Sequence, residues 1–199
     1  TELHSIPSIC PYFESNLPLS EELKVIKPPG GIAVGLVWAS NPDNKSMYRH
    51  KSLPLSLLMP MFERLMDLDL VELHSLQFGV DSEQIIPWRD RSDVYEWNHR
   101  LKDFSDTAVI LKQLDLVVTV DTAVAHLSGA LNKPTWLLLP HNADFRWLRE
   151  RNDSPWYPSM RLFRQEAHGD WQTVADQLDK AFDTMLLLDT KALAASRLS

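Results

Sequence analysis

Short apolar runs recur through the central part of the chain and alternate with segments of helical periodicity. The runs lie at residues 32–38, 70–76, 115–120, 135–139 and 160–164. In the first of them, residues 32–38, apolar residues follow one another without polar alternation, which is typical of a strand covered on both faces. The pattern therefore predicts an α/β protein with a Rossmann-like parallel sheet and helices on both faces.

Four segments between and after these runs carry apolar residues at helical spacing, and we predict helices there. They are residues 54–68, 105–114, 122–131 and 170–188. Pro60 lies inside the first segment, so that helix has a kink or begins later. Ser105 or Asp106 is the expected N-cap of the second.

Three other stretches give weaker signals. Five prolines between positions 7 and 29 predict an irregular lead-in over residues 1–30. The basic segment 45–52 is expected to be a loop, and residues 85–104 allow no firm assignment. We expect one domain over residues 31–188 and a loose tail over 189–199.

Composition narrows the possible functions. A net charge of −7 disfavours non-specific binding to nucleic acid. The single cysteine, Cys10, excludes an internal disulfide and a cysteine-based zinc site, and it fits a reducing cytoplasm. No apolar run approaches the ~20 residues of a membrane-spanning helix, and no secretory leader is evident. Neither a GxGxxG motif nor a Walker loop is present.

The most informative motif follows the strand at 115–120. Asp121 and Thr122 lie where that strand ends and the next helix begins, and ligands bind at such carboxyl ends in parallel sheets. The first N–H groups of the helix and its dipole favour an anion there. Ala123 allows close approach to the backbone, and His126 lies one turn along the same face. Alternatively, Asp121 or Thr122 is only an N-cap, and His126 is a core residue.

Two further loops are expected at the same edge of the sheet. Asn41 and Lys51 follow the first strand, so a diphosphate between this loop and the helix N-terminus would meet a cation if the two strands are neighbours. Gln77 and Glu83 follow the second strand, where an acid or amide can bind ribose hydroxyls. A plain surface role is the alternative for each.

A last candidate block follows the strand at 135–139. Asp144 is expected near the crevice, because it too lies beyond the carboxyl end of a strand. Trp147, Trp156 and Tyr157 either stack on a sugar or base or pack over the sheet edge, and packing is the better-supported role.

Several blocks together resemble a known family. They are GLVWASNPDNKSMYRHKSLPL, LHSLQFG, DFSDTAVILKQLDLVVTVDTAVAHLSGALNKPTWLLLP and FRWLRERNDSPWYPSMRLFRQ. They are similar to the C-terminal part of bacterial tetratricopeptide-repeat proteins that carry a glycosyltransferase domain related to the ADP-heptose:lipopolysaccharide heptosyltransferases. The resemblance implies the C-terminal, nucleotide-sugar-binding lobe of a glycosyltransferase B fold.

The resemblance also implies roles for individual residues. The family motif D-[ST]-G-x-x-H contacts the donor diphosphate and matches Asp121, Thr122, Ala123 and His126, with alanine in place of the family glycine. A K-x-x-P match gives Lys51 a phosphate contact, and a weaker G-x-x-x-E match places Glu83 near the ribose.

The implied activity is that of the donor-binding lobe of an inverting glycosyltransferase. The family's catalytic base lies in an N-terminal lobe to which no residue here can be matched, so we expect this chain to be inactive alone. The donor sugar is a substrate, and no metal or other cofactor is expected. Expected partners are that lobe, tetratricopeptide repeats of a longer chain, or a second copy.

Two other functions stay open at this level. The first is a non-catalytic interaction module that keeps the glycosyltransferase fold. The second is another enzyme of the same architecture, such as a nucleotide-sugar epimerase, for which His126, His141 and Asp144 are the available acid–base groups.

Overall fold

A parallel sheet forms the centre of the protein, as predicted, and it has six strands where the sequence indicates five. The structure, a computed structural model, describes residues 8–13 and 21–196, with side chains as far as residue 186. The strand order is β3-β2-β1-β4-β5-β6, and every neighbouring pair is parallel. The strands are β1 (Ile32–Val37), β2 (Val71–Ser75), β3 (Val94–Glu96), β4 (Leu116–Val120), β5 (Thr135–Leu139) and β6 (Met160–Arg164).

Within the described residues, α-helices and several 3₁₀ turns connect the strands. The helices are α1 (Lys45–Lys51), α2 (Met59–Asp67), α3 (Phe104–Gln113), α4 (Ala123–Ala130) and α5 (Trp171–Ser196). The 3₁₀ helices are Glu21–Leu23, Leu55–Leu57, Val80–Trp88 and Phe145–Trp147. None of the helices in this part of the chain combines the length and the apolarity needed to cross a bilayer.

Helices cover both faces of the sheet. On one face, α2 and α5 pack against the strands through residues such as Phe62 and Phe182, whose rings meet edge to face at 5.7 Å. On the other, α3 packs through Ile110 and Leu111 against Val117 of β4. The central strands are buried along almost their whole length, which accounts for their predominantly apolar sequences.

The structure differs from the prediction in the basic segment 45–52, which is not a loop. Residues 45–51 form α1, and the side chain of Asn44 caps it by accepting a hydrogen bond from the Met47 N–H at 3.2 Å. None of the α1 residues is fully buried, so the helix leaves no apolar stripe in the sequence.

Two other helix starts bear on the prediction. The helix α2 begins at Met59 with Pro60 in its first turn, so the later start is confirmed; proline costs little there because its position needs no N–H partner. The helix α3 is capped by Asp103, which accepts from the N–H groups of Ser105 and Asp106, so the predicted cap at Ser105 or Asp106 is wrong.

Two further segments have more regular structure than the sequence predicts. The segment 85–104, left unassigned from sequence, contains the edge strand β3 and the end of the 3₁₀ helix Val80–Trp88. The helix α5 continues to Ser196, past residue 189 where the sequence predicts a loose tail.

A buried histidine joins the lead-in to the sheet. His74 of β2 is fully buried, its Nε2 donates to the Ile26 carbonyl at 3.1 Å, and its Nδ1 accepts from the Trp97 indole N–H at 3.1 Å. Its ring stacks on Tyr95 at 4.8 Å. Burial lowers the pKa of His74 to about 4, so this histidine is neutral in the folded protein at pH 7.

This burial predicts a loss of stability in acid. The pKa of His74 is lower in the folded chain than in the unfolded chain, so its contribution is complete above pH ~6.5 and falls as the pH drops towards 4. Between pH 7 and pH 4, we expect the wild type to lose about 3 kcal/mol more unfolding free energy than His74→Gln, as measured by urea denaturation. His99→Gln, at an exposed position, should keep the wild-type slope. Equal pH slopes for wild type and His74→Gln would contradict this prediction.

Candidate functional site

A crevice of about 840 Å³ lies at the carboxyl ends of the central strands. It is lined by the connections that follow β1, β2 and β4 and by the first turn of α3. The strands β1 and β4 are direct neighbours, with Val34 opposite Leu116. The segment after β1 and the N-terminus of α4 therefore face one crevice, as predicted for neighbouring strands.

The N-terminus of α4 forms one wall of the crevice through Thr122, Ala123 and Val124. Thr122 occupies the N-cap position in an extended conformation, but its side chain makes no capping hydrogen bond to the helix. Its hydroxyl instead lies 3.3 Å from the hydroxyl of Thr119. The first turn of α4 thus has no side-chain acceptor from its own cap residue, and Ala123 is exposed.

A lysine and an aspartate pair at the same place. The Lys51 ammonium at the end of α1 lies 2.5 Å from the Asp121 carboxylate at the end of β4, and both side chains are largely buried, with exposed fractions of 13% and 7%. Both residues line the crevice. Asp121 therefore holds a cation beside the N-terminus of α4, a role that the sequence pattern did not predict for it.

This pair should be strongly coupled. In Lys51→Met or Asp121→Leu the remaining partner is a buried charge without its counter-ion, and we expect each to lose about 3 kcal/mol of unfolding free energy. The double variant Lys51→Met/Asp121→Leu buries no unpaired charge and should lose less than either single variant. Urea denaturation at pH 7 measures all four proteins. Additive losses would show that the two charges are independent.

Gln77 lines the crevice, but its side-chain amide is bound to the backbone. Its Oε1 accepts from the N–H groups of Trp38 and Ala39 at 3.0 and 2.9 Å, and its Nε2 donates to the carbonyls of Ala39 and Phe78 at 3.1 and 3.0 Å. This uses the full hydrogen-bonding capacity of the amide. In this arrangement Gln77 fastens the end of β1 to the end of β2 and has no group left for a ribose.

Removing this amide should be costly. Gln77→Met leaves two N–H groups and two carbonyls without partners in a buried site, so we expect a loss of roughly 2–4 kcal/mol in unfolding free energy. Gln172→Met, at an exposed position on α5, is the matched control and should change stability by less than about 0.5 kcal/mol. A Gln77→Met variant as stable as the control would show that the Gln77 side chain does not stabilise the contact between the ends of β1 and β2.

Asn41 and Glu83 have different positions. Asn41 lines the crevice, with its side-chain oxygen accepting from the Asp43 N–H at 3.0 Å. Glu83 is exposed on the 3₁₀ helix Val80–Trp88 and does not line the crevice. The buried acid of that helix is Asp81, which accepts from the Tyr48 hydroxyl of α1 at 2.7 Å.

His126 lies beside the crevice rather than in its lining. Its Nε2 is 3.9 Å from Asp121 Oδ1, and its ring stacks on the fully buried Trp147 at 5.2 Å. Burial lowers the pKa of His126, and the nearby Asp121 carboxylate only partly opposes this. Trp147 therefore packs under the site, as the packing alternative predicts.

Asp144 is also outside the crevice lining. It caps the 3₁₀ helix Phe145–Trp147 and accepts from the Arg146 N–H and guanidinium at 3.0 and 2.8 Å. Burial tends to raise the pKa of Asp144, but these hydrogen bonds outweigh it and lower the pKa. His141 contacts Gln165 and likewise does not line the crevice. The acid–base groups that an epimerase would need are thus not gathered there.

Two aromatic side chains of the crevice were not predicted. Phe78, after β2, is 46% exposed, and Phe104, at the start of α3, is 60% exposed. Lys102 and Asp103 accompany Phe104 in the lining. For Phe104, the sequence signal is its position directly after the capping residue Asp103, at the start of a helix. In the described part of the chain, no three His, Cys, Asp or Glu side chains are grouped so that they can hold a metal ion.

Comparison with known proteins places this geometry in context. The chain is 31% identical over 147 residues to Protein FlbA of Caulobacter vibrioides, a match covering 71% of this chain and 23% of FlbA. No protein-family model matches the sequence.

Solved structures match over a larger share of the chain. They include E. coli heptosyltransferase WaaC with ADP (18% identity, TM-score 0.56, 80% of this chain and 44% of that one) and E. coli ADP-heptose lipopolysaccharide heptosyltransferase II (14%, 0.60, 87% and 54%). A glycosyl transferase family 9 structure from Veillonella parvula is similar (14%, 0.56, 79% and 46%).

The chain has a heptosyltransferase-like fold. It spans about half the length of these glycosyltransferases and about a quarter of FlbA. At these sequence identities the structural likeness establishes the architecture alone.

Proposed function

We propose that this chain is the donor-binding lobe of an inverting glycosyltransferase and binds a nucleotide-diphosphate sugar in the crevice. One observation carries the proposal: Lys51 and the N-terminus of α4 converge on one open crevice at the carboxyl ends of two adjacent parallel strands. In open parallel sheets this point, where the strand order reverses, is where ligands bind. The heptosyltransferase solved with ADP supports the proposal, because that protein has the same fold.

The diphosphate is proposed to lie against α4. The Thr122 hydroxyl, the first N–H groups of α4 and the helix dipole offer donors and partial positive charge. Lys51, held beside this helix N-terminus by Asp121, adds an ammonium donor at the same place. In glycosyl transfer the departing diphosphate gains negative charge, and groups fixed in this way stabilise it most strongly at that moment.

The nucleoside is proposed to occupy the end of the crevice formed after β2 and at α3. Phe78 and Phe104 present exposed rings there, and aromatic rings stack well on a nucleobase. A volume of about 840 Å³ is suited to a ligand of nucleotide-sugar size. Neither Gln77 nor Glu83 is placed to bind the ribose. The ribose role that the strand end suggests for both, and that the resemblance implies for Glu83, therefore has no support here.

The catalytic base is proposed to belong to a second lobe outside the described residues. It would deprotonate an acceptor hydroxyl, whose oxygen then forms a bond to the anomeric carbon as the bond to the diphosphate breaks. A non-catalytic module would be favoured by a crevice filled with side chains, whereas this crevice is open. We also propose that tetratricopeptide repeats adjoin this lobe in a longer chain, as they do in the proteins that the sequence resembles.

Calorimetric titration with ADP, UDP and their sugar conjugates tests donor binding. We expect at least one nucleotide to bind the wild type. Thr122→Val removes one hydroxyl donor and should weaken binding roughly three- to tenfold. Lys51→Gln keeps a hydrogen-bond donor for Asp121 but removes the charge, and should weaken binding roughly ten- to hundredfold.

Lys45→Gln is the matched control, because Lys45 begins the same helix and is exposed. It should bind nucleotide as the wild type does. Absence of heat with every nucleotide, or equal affinity for the wild type, Thr122→Val and Lys51→Gln, would overturn the proposed function.

A further inference from the structure

A line of polar contacts runs from the N-terminal segment to the crevice. The Tyr12 hydroxyl donates to the Tyr157 hydroxyl at 3.2 Å, and the Tyr157 hydroxyl lies 3.0 Å from His126 Nδ1. On the other side of the ring, His126 Nε2 is 3.9 Å from Asp121 Oδ1. The other carboxylate oxygen of Asp121 binds Lys51.

The Asp121 carboxylate determines which nitrogen of His126 carries the proton. A neutral imidazole carries its proton on one nitrogen and a lone pair on the other. With the proton on Nε2, an N–H group faces the Asp121 carboxylate, and Nδ1 accepts from Tyr157. With the proton on Nδ1, a lone pair would face that carboxylate, which is electrostatically unfavourable. Since Tyr157 already accepts from Tyr12, its own proton is available for His126.

Two aromatic rings pack against the imidazole of His126. Trp147 stacks on one side at 5.2 Å with an interplanar angle of 23°, and Tyr157 meets the ring edge to face at 5.9 Å. Tyr157 reaches this position because residue 129 on α4 is glycine. A Cβ there would lie 2.4 Å from the Tyr157 ring.

We propose that Tyr157, oriented by Tyr12, is a positioning residue that fixes His126 as the neutral Nε2–H tautomer and thereby orients the Asp121–Lys51 pair at the crevice. The segment 8–13 is then part of the site. Its backbone is held on the same helix, because the N–H groups of Tyr12 and Phe13 both point to the Ala130 carbonyl at the end of α4.

Charged groups of both signs lie around His126. Asp121 and Asp144 favour the imidazolium, Arg146 and Lys51 oppose it, and burial exceeds each of these effects and lowers the pKa. Burial also raises the pKa of Tyr157, so its hydroxyl keeps its proton at neutral pH. Both groups are therefore in the protonation state that the line of contacts requires.

Nitrogen-15 NMR of the histidine rings at pH 7 tests the tautomer without any ligand. The chain has seven histidines, so the His126 signals are assigned by their loss in His126→Asn. We expect the wild type to show a protonated Nε2 and an unprotonated Nδ1. Tyr157→Phe removes the donor to Nδ1 and should produce a mixture of both tautomers.

Tyr12→Phe provides a second variant at an exposed side chain, which keeps the test decisive if Tyr157→Phe does not fold. It frees the Tyr157 hydroxyl to accept, so the Nδ1–H form should become detectable. Tyr95→Phe is the matched control, because its hydroxyl donates to the Ser92 carbonyl away from His126. An Nδ1–H or imidazolium form in the wild type would overturn the proposal. So would an unchanged tautomer in Tyr157→Phe or, where that variant does not fold, in Tyr12→Phe.

A second measurement rests on the proposed function. If ADP or a nucleotide sugar binds the wild type, Tyr157→Phe should weaken that binding roughly three- to tenfold, because Lys51 is less well oriented. Unchanged affinity in Tyr157→Phe would refute the link to Lys51. Failure of every nucleotide to bind the wild type would refute the proposed function, while the tautomer result decides the role of Tyr157 by itself.

Discussion

The parallel pairing of β1 with β4 is the constraint on which the site depends. These strands are distant in sequence, yet their hydrogen bonds place the ends of both at one edge of the sheet. The connections that leave them run in opposite directions across the sheet, which opens a crevice between them. Lys51, which follows β1, and Asp121, which ends β4, meet only because of this pairing.

The sequence predicts five of the six strands because burial leaves a simple signature, and it does not predict the three-residue edge strand β3. A mostly apolar run as short as that of β4, bounded by polar residues, is typical of a buried strand. The helix α1 was missed for the opposite reason, since it has no fully buried residue and its order depends on tertiary contacts. The cap of α3 was misplaced because Asp103, Ser105 and Asp106 are all good capping residues, and only the backbone selects one of them.

The positions of some site residues could be predicted from the sequence, and those of others could not. Thr122 and Lys51 were predictable, because their positions follow from strand ends and those are set by apolar runs. Gln77 was not, since an amide after a strand looks the same whether it binds a ligand or the neighbouring backbone. Glu83 was placed by a short pattern, and the 3₁₀ helix after β2 carries it to the surface instead. Roles that depend on where a loop turns are not encoded in local sequence.

The short helix α1 has a consequence for the dynamics of the crevice. A helix of seven residues is not stable in isolation, so its order comes from its neighbours. Tyr48 binds Asp81 after β2, Lys51 binds Asp121 at β4, and His50 contacts the Asn142 carbonyl after β5. The two turns of α1 thus connect the segments at the ends of three strands. The hydrogen-exchange rate of the α1 amides should therefore report how often these contacts between α1 and the strand ends break.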